Sequence, residues 1–182
     1  MRAAGHATRE RILAAAKAEF ARYGVAGARI NRIAEAANAS KDRLYAYFAG
    51  KDDLYAAVTE QWATETTAET ALDAGDLPSY VGRLFDHYLR NPDNARLQAW
   101  AEIERTDIPG ADEAIRRAVA PKIAEIRRGQ RAGVITGTFH PLTLLTLLTD
   151  LARTSAVHAL HDDDAEDRRA ATVLAARRLI VP

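Results

Sequence analysis

Residues 24–55, with the sequence GVAGARINRIAEAANASKDRLYAYFAGKDDLY, decide how the first third of the chain folds. Apolar residues at helical spacing predict a short helix over about 30–37. Asn38 tolerates a left-handed backbone conformation, and Ser40 is a good N-cap for a third helix from Lys41 to about Phe48. Two short helices joined by about three residues are typical of a helix-turn-helix unit.

Helical spacing extends over almost the whole chain, and no run alternates convincingly as a strand would. An earlier helix begins near Thr8, a plausible N-cap, and stops at Gly24, a residue suited to a helix C-terminus. The pattern therefore predicts an all-α fold of about nine helices. Six helices are predicted after the helix-turn-helix. The first is a long helix from Gly50 to about Ala74, and the next two carry apolar stripes at Val81–Tyr88 and Leu97–Glu104. The remaining three cover Asp112–Arg131, which Pro121 should kink or divide, Pro141 to about Leu160, and roughly 164–180.

Charge is unevenly distributed, although the 182 residues carry a formal net charge of zero. Residues 1–51 hold 10 Lys and Arg against 4 Asp and Glu, whereas residues 52–182 hold 15 against 21. The basic end is a candidate for contact with a polyanion, and ordinary solvated surface is the alternative interpretation. The absence of cysteine excludes disulfides and thiolate metal sites, and the pattern shows no signal peptide. We expect a soluble, cytoplasmic protein that does not interact with membranes.

The first third of the chain resembles the DNA-binding domain of the TetR (tetracycline-repressor-like) family of bacterial regulators. The similarity rests on Gly24, the IAEAA of the second helix, the Ser40 cap, the LYAYF run of Leu44–Phe48, and Lys51 followed by Leu54. The resemblance implies a DNA-binding domain over 1–50 and a larger helical domain over 51–182 for effector binding and dimerisation. It further implies a ligand-responsive regulator, most simply a repressor, that binds a pseudo-palindromic operator on double-stranded DNA as a homodimer.

Five residues of the third helix and its flanks are predicted to face DNA. Helical spacing points Leu44 and Phe48 inward and leaves a donor-rich surface about as wide as a major groove, made of Lys41, Arg43, Tyr45 and Tyr47. By the resemblance, Tyr45, Tyr47 and Lys51 match positions that contact phosphates. Partial core packing is the alternative for the two tyrosines, and a solvated lysine is the alternative for Lys51.

The sequence departs from the commoner family pattern at Asn38, Ala39, Asp42 and Arg43, and also at Arg29. Arg43 could bond a guanine edge in two places. Asp42 could accept from a cytosine or pair with a neighbouring Arg or Lys. Arg29 stands where a capping Thr or Ser is common, so we expect the second helix to begin with a phosphate contact instead of a side-chain cap.

A small-molecule pocket in the C-terminal part follows from the resemblance. Its candidate lining is mostly apolar with few polar atoms: Trp62, Phe85, Tyr88, Trp100, Glu104 and Thr146. Each aromatic could equally be plain core. Glu104 is a carboxylate on an apolar stripe, which requires either a partner or an exposed place at the helix end.

The last two helices carry Leu and Ala on more than one side, which predicts dimerisation through residues 141–180. Two other functional classes stay open, a DNA-binding scaffold without an effector and a helical enzyme. HALHDDDAED, residues 158–167, is the one segment that suggests catalysis or metal binding, through His158 and His161. Because acidic residues at a helix start already suit the helix dipole, we predict no catalytic residue, metal or cofactor.

Overall fold

The computed structural model describes residues 2–104, 107–161 and 164–181, with side chains from residue 5 onward. Within these ranges it contains no strand, which confirms the all-α prediction. The nine α-helices found there are α1 (Arg2–Gly27), α2 (Ile30–Ala36), α3 (Lys41–Tyr45), α4 (Lys51–Glu69), α5 (Leu77–Arg90), α6 (Pro92–Glu104), α7 (Pro109–Arg131), α8 (Pro141–Ala159) and α9 (Ala165–Leu179). In the same part of the chain, no helix is both long and apolar enough to cross a membrane.

Several helix boundaries differ from the prediction for local physical reasons. α1 begins at Arg2, well before the predicted cap at Thr8. α4 ends at Glu69, short of Ala74, where Asp73 caps a 3-10 turn by accepting from the Gly75 amide. Because proline lacks an N–H and suits the first turn of a helix, α6 begins directly at Pro92.

The prediction that Pro121 kinks or divides its helix is wrong as far as division is concerned. α7 is a single helix from Pro109 to Arg131 with Pro121 inside it. Proline removes one backbone hydrogen bond and crowds the carbonyl of the preceding turn, but the remaining bonds and the packing of the helix can outweigh that loss.

The described residues form two compact units, each with its own core. The first comprises Met1–Ala63 and Asp93–Ile115, and the second comprises Thr64–Pro92 and Arg116–Pro182. A single boundary at residue 51 therefore does not reproduce these units, because the first contains much of α4 and all of α6. The division into a DNA-binding domain and an effector domain at that residue stays a prediction about function.

The core of the first unit holds the helix-turn-helix together. Fully buried side chains from α1, α2 and α3 meet in one apolar cluster that includes Phe20, Ile33 and Leu44. Phe20 also makes an edge-to-face contact with Tyr55 of α4, with the ring centroids 5.2 Å apart. Burying a side chain of this size stabilises a fold by about 1.5–3 kcal/mol, so these contacts fix the position of α3.

In the second unit, α5 packs against both α8 and α9. Its buried stripe includes Tyr80, Leu84, Phe85 and Tyr88, at the helical spacing that the sequence shows. On its other flank, Asp86 accepts two hydrogen bonds from the Arg169 guanidinium of α9, at 2.7 and 2.8 Å. This bidentate pair fixes the register of α9 on α5.

Candidate functional site

The turn between α2 and α3 has the geometry that the sequence predicts. Asn38 has a φ of 49°, and its neighbour Ala39 donates its amide to the Ala34 carbonyl at 2.9 Å. Ser40 caps α3 by accepting from the Arg43 amide at 3.1 Å. The left-handed backbone of Asn38 ends α2 and the side-chain cap of Ser40 starts α3, so these two residues define the turn.

α3 separates buried from exposed residues as predicted. Leu44 is fully buried, and Phe48, just beyond the helix, is 2% exposed. Lys41, Asp42 and Arg43 are exposed, and half of the surface of Tyr45 is accessible. The result is a polar surface with two cations held on an apolar anchor, which we call the α3 face (Lys41, Asp42, Arg43 and Tyr45). That Asp42 accepts from a cytosine, or pairs instead with a neighbouring Arg or Lys, stays a prediction.

Tyr47 has the partial core packing that the sequence gives as one of its two interpretations. Its side chain is half-buried and packs against the core of the first unit. The Arg43 guanidinium lies 5.7 Å from the Tyr47 ring centroid, within the range of a cation–π contact. The Tyr47 ring therefore helps to orient the Arg43 guanidinium. A contact between Tyr47 and a phosphate stays a prediction.

At the start of α2, Arg29 has an exposed side chain that provides no cap, in line with the sequence prediction. The cap comes instead from α1, because Glu19 accepts from the Arg29 amide at 2.9 Å. The same carboxylate oxygen accepts from Nε of Arg32 at 2.7 Å. Sequence reasoning missed Glu19, since nothing local to residues 29–32 indicates an acceptor ten residues before Arg29.

Lys51 begins α4 next to the α3 face, but its ammonium is already engaged. Its Nζ donates to the Val25 carbonyl at 2.7 Å, and the side chain is half-buried. An ammonium has three donors, so this bond leaves others available for an anion. Lys51 therefore fastens the end of α1 to the start of α4, and its phosphate contact stays a prediction.

Glu104 has a partner, which is one of the two alternatives that the sequence suggests, and that partner is the backbone of α1. Its carboxylate accepts from the Val25 amide at 2.7 Å and from the Ala26 amide at 3.2 Å. On the same helix, the Trp100 indole donates to the Ala21 carbonyl at 3.2 Å. Both side chains therefore bind the end of α1, where Gly24 (φ 67°) interrupts the helix. The structure thus gives both side chains partners on α1, and their contact with a ligand stays a prediction.

The other candidate pocket residues are divided between the two units. Trp62 lies in the first unit and is 8% exposed. Phe85 and Tyr88 lie in the interior of the second unit, and each is almost completely buried. Thr146 is exposed on α8, and its hydroxyl donates to the Leu142 carbonyl of its own helix. Its contact with a ligand stays a prediction.

The interior of the second unit contains polar groups that sequence reasoning missed. His87, only 1% exposed, lies between the Thr66 hydroxyl (3.2 Å from Nε2) and the Glu69 carboxylate (2.9 Å from Nδ1). The hydrogen bonds to Glu69 from His87 and from Arg90 lower the pKa of that carboxyl. Nearby, Nζ of Lys122 lies 3.4 Å from the Thr70 hydroxyl, and its pKa falls to about 8 because it is buried.

The acidic segment that suggested metal or acid–base chemistry is only partly described. His158 and His161 are exposed, and Asp162 and Asp163 lie outside the described residues. Among the residues that the structure does describe, no group of three or more His, Cys, Asp or Glu could hold a metal ion.

Comparison with known proteins identifies both parts of the chain. Residues 12–58 match the model for bacterial regulatory proteins of the tetR family, and residues 76–178 match the tetracyclin repressor-like C-terminal domain. The chain belongs to the TetR family. A helix-turn-helix transcriptional repressor of Streptomyces coelicolor is 40% identical to it over 152 residues, which is 83% of this chain and 79% of that protein.

Solved structures of TetR-family fold agree with this assignment. A transcriptional regulator of Streptomyces coelicolor is 41% identical, with a TM-score of 0.79 over 95% of this chain and 98% of its own. A TetR-family regulator of Marinobacter aquaeolei, with 20% identity, has a TM-score of 0.85 over 99% and 98% of the two chains. The chain is therefore a TetR-family, DNA-binding transcriptional regulator.

Proposed function

We propose that this regulator is a repressor that binds a pseudo-palindromic operator through the α3 face as a homodimer and leaves it when a small molecule binds. The α3 face carries the proposal, because its exposed side chains reach outward while Leu44 and Phe48 fix the helix to its core. The relative from Streptomyces coelicolor is a transcriptional repressor by name, which supports repression over activation. We further propose that the protein acts in the cytoplasm and catalyses no reaction.

Exposed apolar side chains on α8 and α9 support dimerisation through residues 141–180. They include Leu142, Leu147 and Val157 of α8, its C-cap residue Leu160, and Leu174 of α9, each at least 38% exposed. Thr146 lies one turn after Leu142 on the same side of α8. A two-fold pairing of these helices would cover apolar surface that a monomer leaves in water.

A substitution on this surface provides a direct test. We expect the wild-type protein to sediment as a dimer at micromolar concentration, and Leu174→Glu to weaken association at least tenfold, because a carboxylate would replace an apolar contact. Sedimentation velocity over a concentration series measures both constants. The exposed α7 residue Arg127 offers a control, since Arg127→Glu also introduces a carboxylate, but on a different helix. A monomeric wild type would contradict the proposed dimer.

The α3 face predicts two distinct DNA-binding defects. We expect Arg43→Ala to weaken operator binding by about 1–3 kcal/mol and to relax base preference, because a lost base contact removes discrimination. Lys51→Ala should weaken all sequences alike and reduce the salt slope by about one. Gel shifts over a salt series, on DNA flanking the gene and on scrambled DNA, measure both effects.

Lys51→Ala needs its own stability control, because Lys51 also bonds the Val25 carbonyl. Thermal unfolding of each variant separates a folding defect from a lost phosphate contact, and Arg127→Ala is the control for a lost surface cation. Unchanged DNA binding in both Arg43→Ala and Lys51→Ala would contradict the proposal that this surface binds DNA. Footprinting on the same flanking DNA would then show which segment of the operator the dimer covers.

A further inference from the structure

Lys122 of α7 is a cation that contacts buried residues of the second unit. Its Nζ lies 3.4 Å from the Thr70 hydroxyl and 5.3 Å from the centroid of the Tyr80 ring. Thr70 is completely buried and Tyr80 is 1% exposed, so the ammonium is surrounded by interior residues. Burial lowers the pKa of Lys122 to about 8, and no neighbouring charge opposes that shift.

The carboxylates next along the chain to Lys122 on α7 and to its partner Thr70 are both bonded elsewhere. Glu125, one turn later on α7, accepts from the Ala74 amide at 3.0 Å and from the Arg128 guanidinium. Glu69, which precedes Thr70, accepts from His87 and from Arg90. Within the described part of the chain, the Thr70 hydroxyl is thus the acceptor that the structure provides for Lys122. An ammonium has three donors, and one long bond to a hydroxyl satisfies only one of them.

A partly buried ammonium without an anion is unfavourable, since desolvation is not offset by an ion pair. An anionic group placed beside it would gain both a charge-assisted hydrogen bond and a strong attraction in a region of low dielectric constant. The Thr70 hydroxyl already donates to the Thr66 carbonyl and accepts from Lys122, so it orients the lysine. Tyr80, the α5 side chain whose ring faces the Lys122 ammonium, is buried and offers it an aromatic face.

We propose that Lys122, oriented by Thr70, is the recognition residue for the effector and that the effector is an organic acid whose carboxylate pairs with the Lys122 ammonium. This inference rests on the proposed function, because it names the chemical class of the molecule that releases the repressor from DNA. The apolar interior of the unit suits an acid with a hydrocarbon body, and an uncharged molecule of the same shape would leave the ammonium unpaired.

Matched pairs of ligands isolate the carboxylate. The probes are hexanoate, octanoate, decanoate, benzoate and phenylacetate, each titrated calorimetrically beside the alcohol with the same carbon skeleton. For wild-type protein we expect at least one acid to bind tenfold or more tightly than its alcohol. Lys122→Met keeps the length of the side chain and should abolish that preference without weakening the alcohol. Lys122→Arg should retain most of it, because the charge remains.

Arg127→Met serves as the matched control, because it removes an exposed cation from the same helix. The inference is overturned if no acid in the set binds more tightly than its alcohol, or if Lys122→Met binds the acid as wild type does. Gel shifts distinguish the two proposals: Lys122→Met should still bind DNA but resist release by the acid. If neither the wild-type protein nor Lys122→Met binds DNA, the proposed function is contradicted. The acid titration would still decide the role of Lys122.

Discussion

Gly24→Ala is expected to lower the free energy of unfolding by roughly 3–5 kcal/mol, because both backbone and packing at this position exclude a side chain. Gly24 has a φ of 67° and a ψ of −179°, a conformation that is essentially confined to glycine. A Cβ built here would lie 2.3 Å from Oε1 of Glu104 and 2.8 Å from Cε3 of Trp100. Relief of that overlap would displace the Glu104 carboxylate from the Val25 and Ala26 amides.

Urea unfolding followed by circular dichroism measures this loss, and Gly50→Ala is the matched control. Gly50 lies in the same unit, and a Cβ there would meet nothing within 4 Å. We expect the control to change stability by at most about 0.5 kcal/mol. Equal effects of the two substitutions would show that the constraint at Gly24 does not exist.

Glu104→Ala completes a double-mutant cycle with Gly24→Ala. By itself it should cost about 2 kcal/mol, since the Val25 amide is buried and loses a charged acceptor. In the double variant the clash between the new Cβ and the carboxylate is absent. The loss of unfolding free energy in the double variant should therefore be smaller than the sum of the losses in the two single variants. Strict additivity would mean that Gly24 and Glu104 act independently.

The helix-turn-helix could be predicted because its determinants are local. Asn38, Ser40 and the inward pair Leu44 and Phe48 all act within a few residues of themselves, and periodicity and capping rules describe such short-range effects. The helices of the C-terminal part were predicted for the same reason. The extension of α1 to Arg2 was not, since residues 2–7 offer neither a cap nor a stripe.

Glu104 shows where sequence reasoning stops. The pattern correctly marked it as a carboxylate on an apolar stripe that requires a partner, but the partners lie 78 and 79 residues earlier in the chain. They are also backbone amides, which every residue has and no sequence pattern identifies. Glu19, which caps α2 from α1, was missed for the same reason. Contacts of this kind depend on tertiary packing.

Lys122 was missed because its local sequence resembles a solvated surface. It lies in a helix rich in charge, close to Glu125, Arg127 and Arg128, and a lysine in such company is ordinarily exposed. Its position is decided instead by Thr70 and Tyr80, which belong to other elements of the second unit. The free energy of unfolding should therefore respond to a substitution of Lys122 differently from a substitution of an exposed cation.

Lys122→Met is expected to raise the free energy of unfolding at pH 7 by about 1–2 kcal/mol, because it removes a buried charge and keeps the apolar stem. The pKa difference between 10.5 in the unfolded chain and about 8 in the folded one corresponds to at most about 3 kcal/mol. Residual exposure of the side chain reduces that figure. Denaturant unfolding at pH 7 measures the gain, with Arg127→Met as the control for a lost surface charge.

The same shift fixes the sign of a pH dependence in the wild-type protein. Between pH 8 and about 10.5 the unfolded chain binds more protons at Lys122 than the folded chain does, so this residue makes stability rise with pH. Burial raises the pKa of Tyr80, which acts in the opposite direction above pH 10. The comparison therefore belongs between pH 8 and 10, where the advantage of Lys122→Met over wild type should shrink. An advantage that stays constant across that interval would mean that Lys122 titrates as an exposed lysine does, and that its ammonium is not desolvated in the folded protein.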